Sequence, residues 1–157
     1  MSATATPRPA EPRSAPLALM HRLFDEGFAA GNTDIVDELC SPDFVEHQFG
    51  LATEGAGAVD NLKAAIADVH ATMPDASFSI EDSAFSDGKI WVRVRVTGTA
   101  TGPFFGPPSG SPVEMTLIDI ARIEDGRLKE HWGVPDRFAL LAQTGVLSRL
   151  EKSPAPH

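Results

Sequence analysis

The spacing of apolar residues changes once along this chain, at Met73-Pro74-Asp75, and this change constrains the fold most. Before it, apolar residues recur every three or four positions, as on one face of a helix. After it they alternate with polar residues, as in the segment IWVRVRV of residues 90–96. Helices followed by strands predict an α+β fold with helices on one face of an antiparallel sheet. A strongly curved sheet covered in this way would form a cone with an open pocket.

Capping residues and turn signals divide the chain into elements. Long helices are predicted over residues 14–31 and 57–72, with a short helix between them that carries Ile35, Val36 and Leu39. The segment SPDFVEH of residues 41–47 predicts a turn that leads into a short strand. After the strand region, Asp136 is predicted to cap a final helix that ends at Gly145.

Length and composition bound the organisation and the partners. The 157 residues predict one domain at residues 15–147, a disordered arm at residues 1–14 and a C-terminal tail at residues 148–157. The net charge of −9 argues against a nucleic-acid partner, because phosphate binding needs a basic surface. No apolar run approaches the roughly 20 residues of a membrane span, so no membrane partner is expected. The single cysteine, Cys40, excludes an intrachain disulfide and is typical of a cytoplasmic protein.

Asp119 is the most unusual residue of the strand region. It is the one acid on an otherwise apolar strand face, which consists of Val113, Met115, Leu117, Asp119, Ala121 and Ile123. Burying a carboxylate is costly unless the group is paired or protonated. Two interpretations stay open: a structural carboxylate satisfied by backbone groups or an arginine, and a group that faces a pocket and does chemistry.

His131 is the candidate partner of Asp119, and the turn between the last two strands decides whether they share a face. A three-residue loop at residues 124–126 would place Asp119 directly opposite His131. A two-residue turn would place Asp119 opposite Trp132 and turn His131 to the other face. The bulk of Leu128 and Trp132 favours the second register, and the residues alone leave both open.

Other candidate residues lie in the segments around these strands. Glu46 and His47 end the first extended segment, where they face either solvent or the pocket. Phe104 and Phe105 are adjacent aromatics in a Gly/Pro-rich loop, which could cover an apolar pocket or one end of the core. No nucleotide-binding, zinc or nucleophile motif is present, and the spacing of the histidines and acids supports no metal site. Any chemistry is therefore expected to be acid/base work without a cofactor or metal.

Three separated segments resemble one known family. They are AGNTDIVDELCSPDFVEH (residues 30–47), TGTATGPFFGPPSG (residues 97–110) and IDIARIEDGRLKEHWGVPDRFALLAQTG (residues 118–145). These segments are similar to those of the SnoaL-like polyketide cyclases, or ester cyclases, of the nuclear-transport-factor-2-like superfamily. The resemblance implies a cone-shaped fold with a deep apolar pocket, in a homodimer or larger homo-oligomer. It also implies an aspartate that removes a proton alpha to an ester carbonyl, so that an intramolecular aldol reaction closes a ring without cofactor or metal.

The resemblance also carries over to single positions. Aligned on the segment DGRLKEH, the catalytic aspartate of the family falls on Gly133, so this chain lacks it. A pocket histidine of the family falls on Asp119, and a pocket asparagine falls near Glu46. Since positions 119 and 133 share the pocket face of the family, the resemblance favours the three-residue loop, which also pairs Leu117 with Gly133.

The residues and the resemblance together predict a cyclase that acts on a hydrophobic, polyketide-like small molecule. Asp119 would be the general acid/base, with His131 as the partner that orients it or shares its proton. Glu46 or His47 would itself be a second polar group that points at a carbonyl. The residues expected to shape the pocket are Leu117, Phe104, Phe105, Trp132 and Gly133.

Two alternatives remain at this point. A hydrolase of the epoxide-hydrolase type would need an Asp–Arg–Asp set, for which Arg122 is the nearest arginine, although strand parity points it away from Asp119. A binding module without catalysis is the other, and the glycine at position 133 is its best support.

Overall fold

A computed structural model of the protein describes residues 14–103 and 107–152. The helices in these ranges are α1 (Ser14–Arg22), α2 (Ile35–Leu39), α3 (Ala56–Thr72), α4 (Arg137–Gln143) and α5 (Val146–Glu151), and α1 continues as a wider π-helical segment, Leu23–Ala29. The predicted helices are all present, and α5 extends into the segment predicted as a tail. Within the described ranges, no helix has the length and apolar character needed to cross a membrane.

The strands form one sheet in the order β2-β1-β6-β5-β4-β3. They are β1 (Cys40–Glu46), β2 (Thr53–Glu54), β3 (Ser77–Ser86), β4 (Lys89–Thr99), β5 (Pro112–Glu124) and β6 (Arg127–Pro135). The α+β prediction is confirmed, but the sheet is mixed rather than purely antiparallel, because β1 runs parallel to β6. A parallel pair needs a long crossover, and α3 with strands β3 to β5 supplies it.

The core lies between the helices and one face of this sheet. On β4, Val92, Val94 and Val96 are buried, whereas the arginines between them are exposed, as the alternation predicted. Phe24 of the π-helical segment stacks on Phe78 of β3, with ring centroids 5.5 Å apart and planes 10° apart. The helical apolar face and the inner sheet face therefore meet directly, which fixes which face of β5 and β6 is the inner one.

The hairpin of β5 and β6 has the two-residue turn considered from the sequence and not the three-residue loop, but beyond a bulge its register differs from both expectations. Asp125 and Gly126 form a two-residue turn, and their φ angles of 51° and 72° are those of a type I′ turn. Glu124 pairs with Arg127 across this turn. After one further pair, Lys129 is an extra residue on β6, a β-bulge that shifts the remaining pairs by one position.

The bulge explains why the sequence pattern supported two registers. Leu128 before it and His131 after it are both buried, although residues three apart on a regular strand point to opposite faces. Beyond the bulge, Asp119 pairs with Gly133 and Ala121 pairs with His131. The predicted direct pairing of Asp119 with His131 is wrong, but the two residues share the inner face and lie diagonally across the ladder.

Deleting Lys129 would remove the bulge and leave residues 130–135 on their present faces, because Leu128 and His131 would then be two residues apart on a regular strand. His131 would stay inward and Trp132 outward, so we expect urea denaturation to show that the deletion variant keeps most of its free energy of unfolding. The variant Lys129→Ala keeps the bulge and loses only the ion pair with Asp43 at the surface, and it should cost less than about 1 kcal/mol. Loss of most of the free energy of unfolding in the deletion variant would contradict this register, because without a bulge the deletion would turn residues 130–135 to the opposite face.

Candidate active site

A cavity of about 390 Å³ lies between the helices and the inner face of the sheet. This volume lies within the range of small-molecule sites in proteins. Its wall is mainly apolar and includes Leu23, Phe28, Leu62, Phe78, Met115 and Leu117. The polar residues on the wall are Gln48, Asp68, Asp119, His131 and Arg137. The cavity therefore suits a hydrophobic molecule that meets a few polar groups.

Glu46 and His131 form a buried ion pair at this cavity. The parallel pairing of β1 with β6 sets Glu46 beside His131, and both residues are at most 5% exposed. The Nδ1 of His131 lies 2.8 Å from Glu46 Oε2 and 3.0 Å from Oε1. Glu46 Oε1 also accepts the backbone N–H of Gln48 at 2.8 Å. Glu46 thus fixes both the orientation of the imidazole ring and the position of the chain that follows β1.

Asp119 faces the other nitrogen of the same ring. Its Oδ2 lies 3.1 Å from His131 Nε2, and the Asp119 side chain is 5% exposed. The contact is an ion pair without the alignment of a hydrogen bond, so Nε2 of His131 has no hydrogen-bond partner within residues 14–103 and 107–152. The other oxygen of the carboxylate, Asp119 Oδ1, also has none in these ranges. No arginine or backbone donor in these ranges satisfies Asp119, so His131 is the group that offsets its charge. The carboxylate is held mainly by electrostatic attraction.

The two carboxylates determine the protonation of His131. Burial alone lowers the pKa of the imidazole, because a charged ring loses hydration. The negative charge of Asp119, the hydrogen bond to Glu46 and the charge of Glu46 outweigh this effect and raise the pKa of His131 to about 10. At neutral pH the ring is therefore an imidazolium with a proton on each nitrogen, which matches an acceptor on each side.

Gly133 leaves space for a side chain from another segment. A Cβ at this position would lie 3.0 Å from Asp119 Oδ1 and would overlap the side-chain oxygen of Gln48. The strand glycine therefore accommodates Gln48, which the sequence analysis did not single out. A glycine inside a strand does indicate that some other group approaches closely, but the sequence does not say which group.

His47 and Trp132 lie on the outer face of the sheet. Their rings stack with centroids 4.5 Å apart, and His47 Nε2 lies 3.3 Å from Glu130. Lys89 Nζ lies 4.9 Å from the centroid of the Trp132 ring. Alternation along β1 and β6 turns both residues away from Asp119, so the structure does not bring them to the main cavity. They line a separate, smaller cavity of about 280 Å³, to which Gly133 also contributes.

The other residues predicted for the site differ in their position relative to the main cavity. Leu117 lines the main cavity, while Phe104 and Phe105 lie outside the described residues. Arg122 donates to Glu130 Oε2 at 2.5 Å on the outer face, so it does not bridge carboxylates as a hydrolase site would require. In the part of the chain that the structure describes, no cluster of three or more His, Cys, Asp or Glu side chains is arranged to hold a metal ion.

The raised pKa of His131 predicts how stability depends on pH. Because the folded-state pKa of about 10 exceeds the ordinary 6.5, the stabilisation is fully present below about pH 6.5 and is lost as pH rises through about 10. The variant His131→Gln leaves two buried carboxylates without a cation and should lose about 3–5 kcal/mol of unfolding free energy near pH 6.5.

Urea denaturation of both proteins between pH 6.5 and pH 10 measures this difference, which should shrink as pH rises. The matched control is His21→Gln, since the His21 side chain is 51% exposed and its replacement should leave stability nearly unchanged. A difference that stayed constant or grew with pH would contradict a buried imidazolium.

Solved structures resemble this chain along most of its length. No protein of curated function matches it. TsrD from Streptomyces laurentii is 27% identical with a TM-score of 0.74, over 85% of this chain and 97% of TsrD. IdmH from Streptomyces antibioticus is 31% identical with a TM-score of 0.70, over 83% of this chain and 98% of IdmH. The family model of the SnoaL-like polyketide cyclases matches residues 18–144. The chain therefore belongs to the SnoaL-like polyketide cyclase family.

Proposed function

We propose that this protein is a cofactor-independent acid/base enzyme that closes a ring in a hydrophobic, polyketide-like ester by an intramolecular aldol reaction. The observation that carries this proposal is the Asp119 carboxylate on the wall of an apolar cavity, with a buried His131 imidazolium as its cationic neighbour. A buried carboxylate without backbone or arginine partners is costly to maintain. A functional role gives a reason for that cost.

Asp119 would act first as a base and then as an acid. Its carboxylate takes a proton from the carbon alpha to the ester carbonyl, and the electrons of the broken C–H bond form an enolate. The enolate carbon attacks a ketone carbon of the same molecule and forms the new C–C bond. The resulting alkoxide takes the proton back from Asp119. The product is an isomer of the substrate, so no oxidant, reductant or second substrate is consumed.

His131 and Glu46 support this step without leaving their positions. The positive charge of His131, 3.1 Å from Asp119, stabilises negative charge that moves between the carboxylate and the enolate. Glu46 holds the ring through Nδ1 and so keeps Nε2 directed at Asp119. The apolar wall excludes water, which strengthens these interactions.

The position of Asp119 also fits the family reaction. In the related cyclases the catalytic aspartate occupies the position that aligns with Gly133. Here Asp119 pairs with Gly133 across the two strands. Its Oδ1 would lie 3.0 Å from a Cβ atom at position 133. Asp119 can thus supply a carboxylate to nearly the same region of the cavity from the neighbouring strand.

The variant Asp119→Asn tests the base directly. We expect it to lower the rate of ring closure at least about 100-fold while the fold stays intact, because general acid/base groups contribute roughly 10²–10⁴ to rates. Suitable substrates are methyl esters of polycyclic β-keto acids that carry a second ketone, and mass spectrometry after chromatography would detect a product of unchanged mass.

Asp82→Asn is the matched control, since Asp82 is exposed on β3 and its carboxylate accepts a hydrogen bond from the neighbouring backbone N–H of Ser83. It should close the ring at the wild-type rate. Full activity in Asp119→Asn would refute the assignment. Tight binding of these esters by the wild type with no product would instead support a binding module.

A further inference from the structure

The side-chain amide of Gln48 and the carboxylate of Asp119 approach the same point, the vacant Cβ position of Gly133. A Cβ there would overlap Gln48 Oε1 and lie 3.0 Å from Asp119 Oδ1. Any side chain at position 133 would therefore displace the amide. Gly133 lies on β6 and Gln48 lies two residues beyond the end of β1, so two distant segments meet beside the carboxylate.

Both groups have unused hydrogen-bonding capacity. Asp119 Oδ1 is buried without a partner, and the Gln48 amide makes no hydrogen bond to any residue in the ranges 14–103 and 107–152. Both oxygens are acceptors beside the same vacant Cβ position, whereas a half-turn of the amide about its last side-chain bond puts N–H where the Gln48 oxygen was. That half-turn would direct a donor to the side of the cavity where Asp119 Oδ1 lies, without moving the backbone.

The backbone of Gln48 is already anchored to the same site. Its N–H donates to Glu46 Oε1 at 2.8 Å, and its carbonyl accepts the N–H of Leu51 at 2.9 Å. Glu46 therefore holds the two residues that flank Asp119: His131 through its side chain and Gln48 through its backbone. An amide hydrogen bond to Asp119 would close these four residues into a ring of interactions.

We propose that Gln48 is a positioning residue that donates a side-chain N–H to Asp119 Oδ1, and that Gly133 is required because it leaves room for this amide. Asp119 would then be held on both oxygens, by Gln48 on Oδ1 and by His131 on Oδ2. The catalytic consequence rests on the proposed function, since it assumes that Asp119 is the base. The hydrogen bond itself does not depend on that assumption.

Nuclear magnetic resonance of the side-chain amides tests the hydrogen bond on the intact protein. The chain has two glutamines, Gln48 and Gln143. A proton donated to a carboxylate moves downfield, so one Gln48 amide proton should lie downfield of an ordinary glutamine and move back in Asp119→Asn and Gly133→Ala. Gln143 is the internal control, because its Nε2 donates to the carbonyl of Glu114 at 2.7 Å, away from the site. An ordinary Gln48 shift that neither variant changes would overturn the proposal.

Steady-state kinetics of ring closure test whether Gln48 positions Asp119. Gln48→Leu should lower kcat for ring closure roughly 10- to 100-fold with little change in KM, because a hydrogen bond to a charged group is lost. Gly133→Ala should lower kcat in the wild-type background and cause a clearly smaller loss in a Gln48→Ala background, where only the 3.0 Å contact of the added Cβ with Asp119 Oδ1 remains. Gly57→Ala is the matched glycine control, since an added Cβ there meets only ordinary contacts at 3.4 Å.

The two proposals can fail separately. Loss of activity in Asp119→Asn together with a fully active Gln48→Leu and an ordinary Gln48 shift would reject the role of Gln48 and keep the cyclase proposal. A downfield Gln48 proton that responds to both variants, with full activity in Asp119→Asn, would keep the hydrogen bond and reject the cyclase base. Equal kcat losses from Gly133→Ala with and without Gln48 would also overturn the coupling of these two residues.

Discussion

The burial of His131 between two carboxylates is the interaction on which the site depends. Removing charged groups from water is expensive, and a buried ion pair is tolerated only when its geometry is good and its partners are all present. The fold meets this condition from three strands. The parallel pairing of β1 beside β6 brings Glu46 to one side of the ring, and β5 brings Asp119 to the other. The bulge at Lys129 then turns His131 inward between them.

The sequence predicted the elements and the key acid because these depend on local patterns. The change of period at Met73-Pro74-Asp75 separates helices from strands, and alternation along β5 identified Asp119 as an acid on an inner face. Such patterns arise because an amphipathic helix or strand buries one face, so they can be read from neighbouring residues alone. The family resemblance then predicted the fold, and its model matches residues 18–144.

The sequence could not predict what depends on contacts between distant segments. The bulge exists because both Leu128 and His131 are buried, and no local signal chooses Lys129 as the extra residue. The Glu46–His131 pair depends on β1 joining the far edge of the strand meander. Gln48 was missed for the same reason, since the glycine that accommodates it lies far along the chain on β6. The outward position of Trp132 also follows from the shifted register.

The pKa of His131 in the wild type and in the double variant Glu46→Gln/Asp119→Asn shows whether the two carboxylates hold a proton on this buried histidine. Nuclear magnetic resonance of the imidazole would measure both. We expect an imidazolium that persists above pH 8 in the wild type, because the charges of the two carboxylates and the hydrogen bond to Glu46 outweigh burial. In the double variant only burial and neutral hydrogen bonds remain, so the pKa should fall below about 6.5. A neutral His131 ring at pH 7 in the wild type, or an unchanged pKa in the double variant, would contradict the account.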